Sequence, residues 1–222
     1  RGTHLVYKHA QNNNKDFYYI DRPYWGESRA TPYWMRCVKN QHVKTFIDHR
    51  PDDRFKRQFK ETLKPFHKNG TYVLVVPPSH AMAEMFDGKD WLDNTMKILK
   101  QNTDREIIVR EKPYNPKAII DGEGKMVPGK SANNKPPKPF EWEKVHAVVT
   151  FNSSISIKAL TNGVPAFANF DNPCLPVCEQ DFAKIETPRY EDPRPVLNSL
   201  AYNQFTQEEF RNGYYMEILD GG

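Results

Sequence analysis

Long apolar runs are missing from this chain. Nothing approaches the roughly 20 consecutive apolar residues that span a bilayer, and no signal-peptide pattern opens it. Cysteine is scarce: three in 222 residues, an odd number that argues against a disulfide framework. Cys174 and Cys178 stand at C-x3-C spacing with no Cys or His pair at zinc spacing nearby. All three are therefore read as plain thiols of a reducing compartment. Charge of one sign is also in short supply. With 32 basic against 28 acidic residues the formal net charge is +4, too little to mark a nucleic-acid binder on composition. No G-x-G-x-x-G, H-E-x-x-H or G-x-S-x-G run occurs, which disfavours nicotinamide dehydrogenases, zinc proteases and esterases.

Aromatic residues are plentiful. Four Trp, 11 Tyr and 13 Phe can each bury about 150–250 Å², so a core of large rings offsets the low hydrophobic fraction of 38%. Such a composition excludes disorder throughout. The length suits one large domain, or one domain with a partial second.

Periodicity divides the chain. Residues 1–14 suit a short helix, and Phe17 to Asp21 reads as a strand stopped by Arg22-Pro23. From Tyr24 to Asp48 the pattern is loop-like, with a strand around Trp34 to Val38. Phe55, Phe59 and Leu63 recur every four residues, which predicts a helix over 53–64, closed by Pro65 and Gly70. Tyr72 to Val76 is an unbroken apolar run ended by Pro77-Pro78, as in a strand buried on both faces. A helix over 90–100, strands over 106–110 and 145–151, a helix over 154–161 and a strand over 164–168 follow. Gly163 stands where a helix C-cap belongs. Two helices, 194–204 and 206–219, end the pattern, the second opened by a Thr206/Glu209 capping box. Strand and helix alternate from about 71 to 187, which predicts an α/β fold: an open, Rossmann-like parallel sheet over 65–222, with a smaller N-terminal portion over 1–64.

One stretch breaks the rhythm. Residues 114–144 are rich in Pro and Gly and carry Lys117, Lys125, Lys130, Lys135 and Lys138. Two readings stand: a solvated insertion, or an electrostatic arm that engages a polyanion such as DNA.

In an open parallel sheet, ligands sit beyond the carboxyl ends of the strands. Three such ends carry suitable groups: Pro77-Pro78-Ser79-His80, Arg110-Glu111-Lys112-Pro113, and Phe151-Asn152-Ser153-Ser154. The last is expected to place unpaired backbone N–H groups and hydroxyls at a helix N-terminus, where phosphate binds. Simple helix capping accounts for one such residue; three in a row exceed what it needs. Arg110 and Lys112 point to the same side by strand alternation and suit a diphosphate.

The run Thr150-Phe151-Asn152-Ser153-Ser154, followed by Lys158-Ala159-Leu160 and Asn162-Gly163-Val164-Pro165, resembles the donor-side segment of GT-B glycosyltransferases. Capsule-type and sialyltransferase-like enzymes share such an "SS" element and pair it with an "HP" element. Here Lys112-Pro113 stands in that place and the His is absent. Tyr19-Ile20-Asp21, Trp91, Ile185-Glu186 and the run from Leu200 to Thr206 are similar to glycosyltransferase-like proteins of bacteriophages and prophages. Against complete GT-B enzymes, the portion before residue 65 is either a reduced acceptor domain or the remainder of a longer one.

The resemblance implies sugar transfer from a UDP- or CMP-linked nucleotide sugar to a hydroxyl, without a metal or a tightly bound cofactor. The acceptor it suggests is a hydroxymethylated pyrimidine in phage DNA, or a surface glycan, with the Lys-rich loop as a DNA contact. The cytoplasm, a host's if the protein is phage-encoded, is the expected compartment. Ser79, Arg110, Lys112, Asn152, Ser153 and Ser154 would hold the donor's phosphates and Glu186 its ribose. Asp21 and His80 are the candidate bases, with His42 behind them; for Asp21 a turn carboxylate paired to Arg22 or Arg36 is the favoured alternative. Tyr24, Trp25, Tyr33 and Trp34 could stack a sugar or a base, although packing between the two parts of the chain suits them better. A sugar-nucleotide epimerase and a non-catalytic nucleotide- or DNA-binding module are the rival functions.

Overall fold

Among the described residues two sheets, besides one isolated two-stranded pair, organise the protein, and the last described strand belongs to the first of them. The computed structural model describes residues 2–25, 33–60, 62–110, 119–120, 126–127 and 140–221. In chain order the elements are α1 (Gly2–Asn12), β1 (Tyr18–Asp21), β2 (Trp34–Lys39), α2 (Asp53–Gln58), β3 (Tyr72–Val76), α3 (His80–Met85), α4 (Trp91–Asn102) and β4 (Glu106–Val109). There follow β5 (Ile119–Ile120), β6 (Met126–Val127), β7 (Val145–Thr150), α5 (Ile155–Thr161), β8 (Ala166–Phe167), α6 (Arg194–Ala201), β9 (Gln204–Thr206), α7 (Gln207–Arg211) and α8 (Tyr214–Asp220).

The parallel sheet has the order β4-β3-β7-β8. Its central strands β3 and β7 lack polar alternation because both faces are covered. On one face Val73, Val75, Ala147 and Val149 meet Leu99 of α4 together with Phe167, Phe182 and Ile185. On the other, Leu74, Val76 and Val148 meet Ala159 of α5, with Ile108, Phe140 and Trp142 at the margin. A parallel bridge from Phe167 to Glu179 extends the β8 edge.

The antiparallel sheet, β1-β2-β9, pairs Tyr18–Asp21 with Lys39–Arg36, and Trp34–Arg36 with Thr206–Gln204. A third core joins it to the rest: Tyr24, Trp25 and Phe55 pack with Leu160, Val196, Leu197 and Leu200. The stretches 1–64 and 65–222 thus share both a sheet and a core. The aromatic block's Tyr24 and Trp25 serve that packing, and burial pushes the Tyr24 phenol up to about 12. Trp34 carries the Arg57 guanidinium on its ring at 5.8 Å.

Several elements differ from the sequence pattern. The helix expected over 53–64 ends at Gln58, and Phe59 continues in extended backbone, its ring stacked on Phe55 at 5.0 Å. The terminal helical stretch breaks at Gly213, whose φ of +82° separates α7 from α8. Helix α3 and strand β9 have no counterpart in the periodicity. The capping box is present: Thr206 Oγ1 accepts from Glu209 N–H, and the Glu209 carboxylate accepts from Thr206 N–H. Within the 114–144 stretch, β5 and β6 form an antiparallel pair. Its lysines, Lys117, Lys125, Lys130, Lys135 and Lys138, lie outside the described residues. Among the described residues no helix is long and apolar enough to cross a membrane.

Candidate ligand site at the carboxyl edge of the parallel sheet

Strands β3 and β7 are neighbours, yet the chain leaves β3 for β4 on one side and reaches β7 on the other. Their carboxyl ends flank the point where the strand order reverses, which is where open α/β sheets hold ligands. Ser79 follows β3, Arg110 follows β4, and Asn152, Ser153 and Ser154 follow β7. The fold therefore brings these five to one edge. Lys112, expected among them, lies outside the described residues.

At close range the turn before α5 is less open than an anion cradle requires. Ile155 N–H donates to Ser153 Oγ at 3.3 Å, while Ser156 and Ile157 N–H turn back to the carbonyls of Ser153 and Ser154 at 3.4 and 3.1 Å. Asn172 Nδ2 donates to the Ser153 carbonyl at 3.2 Å. The expectation of a run of unpaired N–H groups is corrected accordingly: three amides close local turns, and Ser153 performs the capping. Asn152 and Ser154 are not used in this way. Ser154 is exposed and its side chain makes no capping bond. The Asn152 Nδ2 is buried without a hydrogen-bond partner among the described residues. An unmet buried donor costs about 1–3 kcal/mol, so an acceptor there would be favourable.

Arg110 N–H donates to the Val75 carbonyl at 2.9 Å, and its guanidinium carbon lies 3.9 Å from the Phe140 ring centroid. Alternation along β4 puts Arg110 on the face of Ile108, the face that carries α5. His80 opens α3 just beyond Ser79; its Nδ1 is 3.7 Å from Glu84 Oε2, and both side chains are exposed. Beneath the edge, Phe151 stacks on Phe170 at 4.4 Å and 5°, with Trp91 and Phe86 against them. These rings fix the end of β7.

Two candidates lie elsewhere. Asp21 belongs to β1, where its Oδ2 accepts from Arg36 Nη2 at 2.9 Å and its Oδ1 from Arg22 N–H at 2.7 Å. Arg36 Nη2 also reaches His42 Nε2 at 3.4 Å, and His42 Nδ1 lies 3.1 Å from Asp171 Oδ2. A guanidinium only donates, so Nε2 is the acceptor and Nδ1 carries the proton toward Asp171. His42, 3% exposed and edged by Tyr19 and Phe86, links the antiparallel sheet to the loop after β8 rather than facing an acceptor.

Glu186 sits at the other end of the sheet. Its carboxylate takes the fork of Arg105, the residue before β4, at 3.0–3.1 Å and the hydroxyl of Thr103. Burial pushes its carboxyl up, but the Arg105 and Thr103 bonds outweigh this and hold it below the ordinary range. His146, second in β7, is also close, so Glu186 marks the amino edge. The ribose role expected of it beside Asn152 does not fit that placement.

Gly124 to Ser131 spells G-x-x-x-x-G-K-S, the lettering of a phosphate-binding loop. That loop follows a strand and opens a helix, whereas here Met126 and Val127, inside the run, pair with Ile120 and Ile119 as a hairpin. The lettering is legible; its two described residues lie in a strand, and Gly124, Lys125 and Pro128 to Ser131 lie outside the described residues. No three His, Cys, Asp or Glu side chains among the described residues gather into a metal-binding group.

Fold and edge define an α/β protein with a four-stranded parallel sheet and a small antiparallel one. No family model matches the chain, and no curated protein matches it significantly.

Proposed function

We propose that the protein binds a nucleotide sugar at the carboxyl edge of its parallel sheet and transfers the sugar to a hydroxyl, as a metal-independent GT-B-type donor domain does. The observation that carries this reading is the buried Asn152 Nδ2, without a partner among the described residues, just after β7 at the same sheet edge as Ser79, Ser154 and Arg110. An amide and two hydroxyls are neutral donors for phosphate oxygens. The guanidinium supplies the charge that favours the nucleotide as it leaves, because it meets more negative charge in the transition state than in the bound donor.

His80, one residue beyond Ser79 and open to solvent, is the group we assign to take the acceptor's proton, with Glu84 orienting its ring. Asp21 is committed to Arg36 and plays no part in that step. The acceptor we favour is a hydroxymethylated pyrimidine in DNA, with the lysines of 114–144 drawing in the polyanion.

The test is calorimetric titration with UDP-glucose, UDP-N-acetylglucosamine and CMP-N-acetylneuraminate, followed by assay of free nucleotide with hydroxymethylated DNA or an oligosaccharide as acceptor. Binding of one donor, lost in Asn152→Ala, with nucleotide release only when an acceptor is present, supports transfer. Absence of binding to every donor overturns it. A second reading, a nucleotide-binding module without catalysis, is favoured by the engagement of Asp21 with Arg36. It predicts donor binding with no acceptor-dependent release.

A further inference from the structure

We propose a second ligand site, independent of the sheet's carboxyl edge, for a small organic anion that joins one compact oxyanion (a carboxylate or phosphate monoester) to an apolar body. A cavity of about 290 Å³ opens between the end of β2, the segment 40–50 and α8. That is near the lower end of small-ligand pockets. Its polar wall is Lys44, Asp48 and Arg50; its apolar wall includes Phe46, Tyr202 and Ile218.

The charges on this wall do not balance. Asp48 Oδ2 accepts from both Lys44 Nζ, at 2.7 Å, and Arg50 Nε, at 2.9 Å. Two cations thus share one carboxylate oxygen, while the other, Oδ1, is buried without a partner among the described residues. Lys39, also on the wall, is already paired with Asp220 at 2.8 Å. The cavity is left with an excess of one positive charge. Lys44 is not a surface lysine that water neutralises cheaply: its side chain is only 6% exposed, and its ammonium lies 4.3 Å from the Phe46 ring centroid. Burial lowers its pKa, against the opposing pull of Asp48, so the ammonium gains from any further anion.

Arg50 presents the recognising face. Only its Nε is used; its two terminal nitrogens make no hydrogen bond among the described residues. The guanidinium carbon lies 5.3 Å from the Tyr202 ring centroid, within cation–π range. A planar fork with two unused donors, beside a buried ammonium, matches two oxygens of a carboxylate or phosphate. Phe46, Tyr202 and Ile218 then cover the body attached to it. Bare phosphate leaves that wall unused.

Titration of the full chain with phenyl phosphate, benzoate and inorganic phosphate tests the site. At least one aromatic anion binds, about tenfold or more tighter than inorganic phosphate, and Arg50→Ala weakens it by about tenfold or more. Which of the two binds better identifies the oxyanion. Asn152→Ala leaves this binding unchanged, which separates the site from the nucleotide-sugar proposal. No binding of either aromatic anion up to about 10 mM overturns the site, as does equal binding by Arg50→Ala or loss of binding in Asn152→Ala. Should Arg50→Ala fail to fold, the Arg50 Nε–H resonance of the unsubstituted protein is followed instead. A ligand-dependent shift supports the site, and an unmoved resonance overturns it.

Discussion

Arg54 and Glu209, 155 positions apart, meet through two hydrogen bonds of 2.7 and 3.3 Å in the same corner where Arg54 also donates to the carbonyls of Ala201 and Gln204. Arg57 adds a third contact to Glu209 at 3.1 Å. Helix α2, the end of α6, β9 and α7 are thereby tied to one guanidinium that is almost wholly buried. Removing one partner strands the other's charge. Glu209→Ala is expected to cost about 3–5 kcal/mol, read from urea unfolding. Thr206→Ala, which removes only the capping hydroxyl, is expected to cost about 1 kcal/mol. Equal costs would show that the ion pair contributes no more than the cap.

The same carboxylate sets an acid limit. Burial pushes the Glu209 carboxyl up, but the bonds from Arg54 and from Thr206 N–H outweigh that and hold it below its ordinary value. A group whose folded pKa is depressed stabilises fully above its unfolded pKa, about 4.3 for Glu, and loses that contribution as pH falls through the folded value. Asp48 acts in the same direction, its burial outweighed by Lys44, Ser199 and Arg50. Unfolding free energy is expected to drop as pH falls below about 4, and Glu209→Gln to flatten that slope. An unchanged slope would remove Glu209 from the account.

Gly163 admits no side chain. Its φ is +73°, and an added Cβ would lie 2.1 Å from the Pro65 carbonyl oxygen. Pro65 cannot retreat freely, because Lys64 N–H bonds Thr161 O and His67 N–H bonds Gly163 O, each at 3.0 Å. Gly163→Ala is expected to cost about 2 kcal/mol or more. A melting temperature within a degree of the parent's would contradict this.

Asn152 offers an unusual pair of outcomes. Truncation to Ala removes an unmet donor, so the ligand-free protein is expected to melt at the same temperature or higher. Donor binding, in contrast, is expected to weaken by about 1–3 kcal/mol. A clear fall in the ligand-free melting temperature would mean that the amide is already satisfied.

The three cysteines are free and buried. Burial pushes Cys37 and Cys174 up to about 12 and Cys178 well above the ordinary thiol value. A thiol-reactive chromophore is expected to titrate none of them quickly in the native state and all three in denaturant. One fast native equivalent would show a thiol within reach of solvent.

How far the sequence was legible depended on range. Tyr72 to Val76 and Val145 to Thr150 announced a doubly covered sheet because, His146 apart, their residues are apolar or small, and that needs no knowledge of partners. Helix α3 escaped because six residues after Pro77-Pro78 are too few to establish a period. Strand β9 escaped for a different reason: Gln204-Phe205-Thr206 has no strand pattern of its own and exists through pairing with Trp34–Arg36. At the edge, Ser79, Asn152 and Ser154 were readable because a strand's end fixes where the next residues go. Ser153's capping bond depends on which way one hydroxyl turns. Glu186 was misplaced because a loop's position in the sequence does not say which end of the sheet it visits.

The lateness of β9 has a cost during synthesis. While the ribosome is still adding the segment before Gln204, β2 can pair with β1 along one side, but its other side has no partner yet. Until Gln204 to Thr206 emerge, that bare strand edge can recruit a neighbouring nascent chain. Expression should therefore be sensitive to anything that slows translation between β2 and β9.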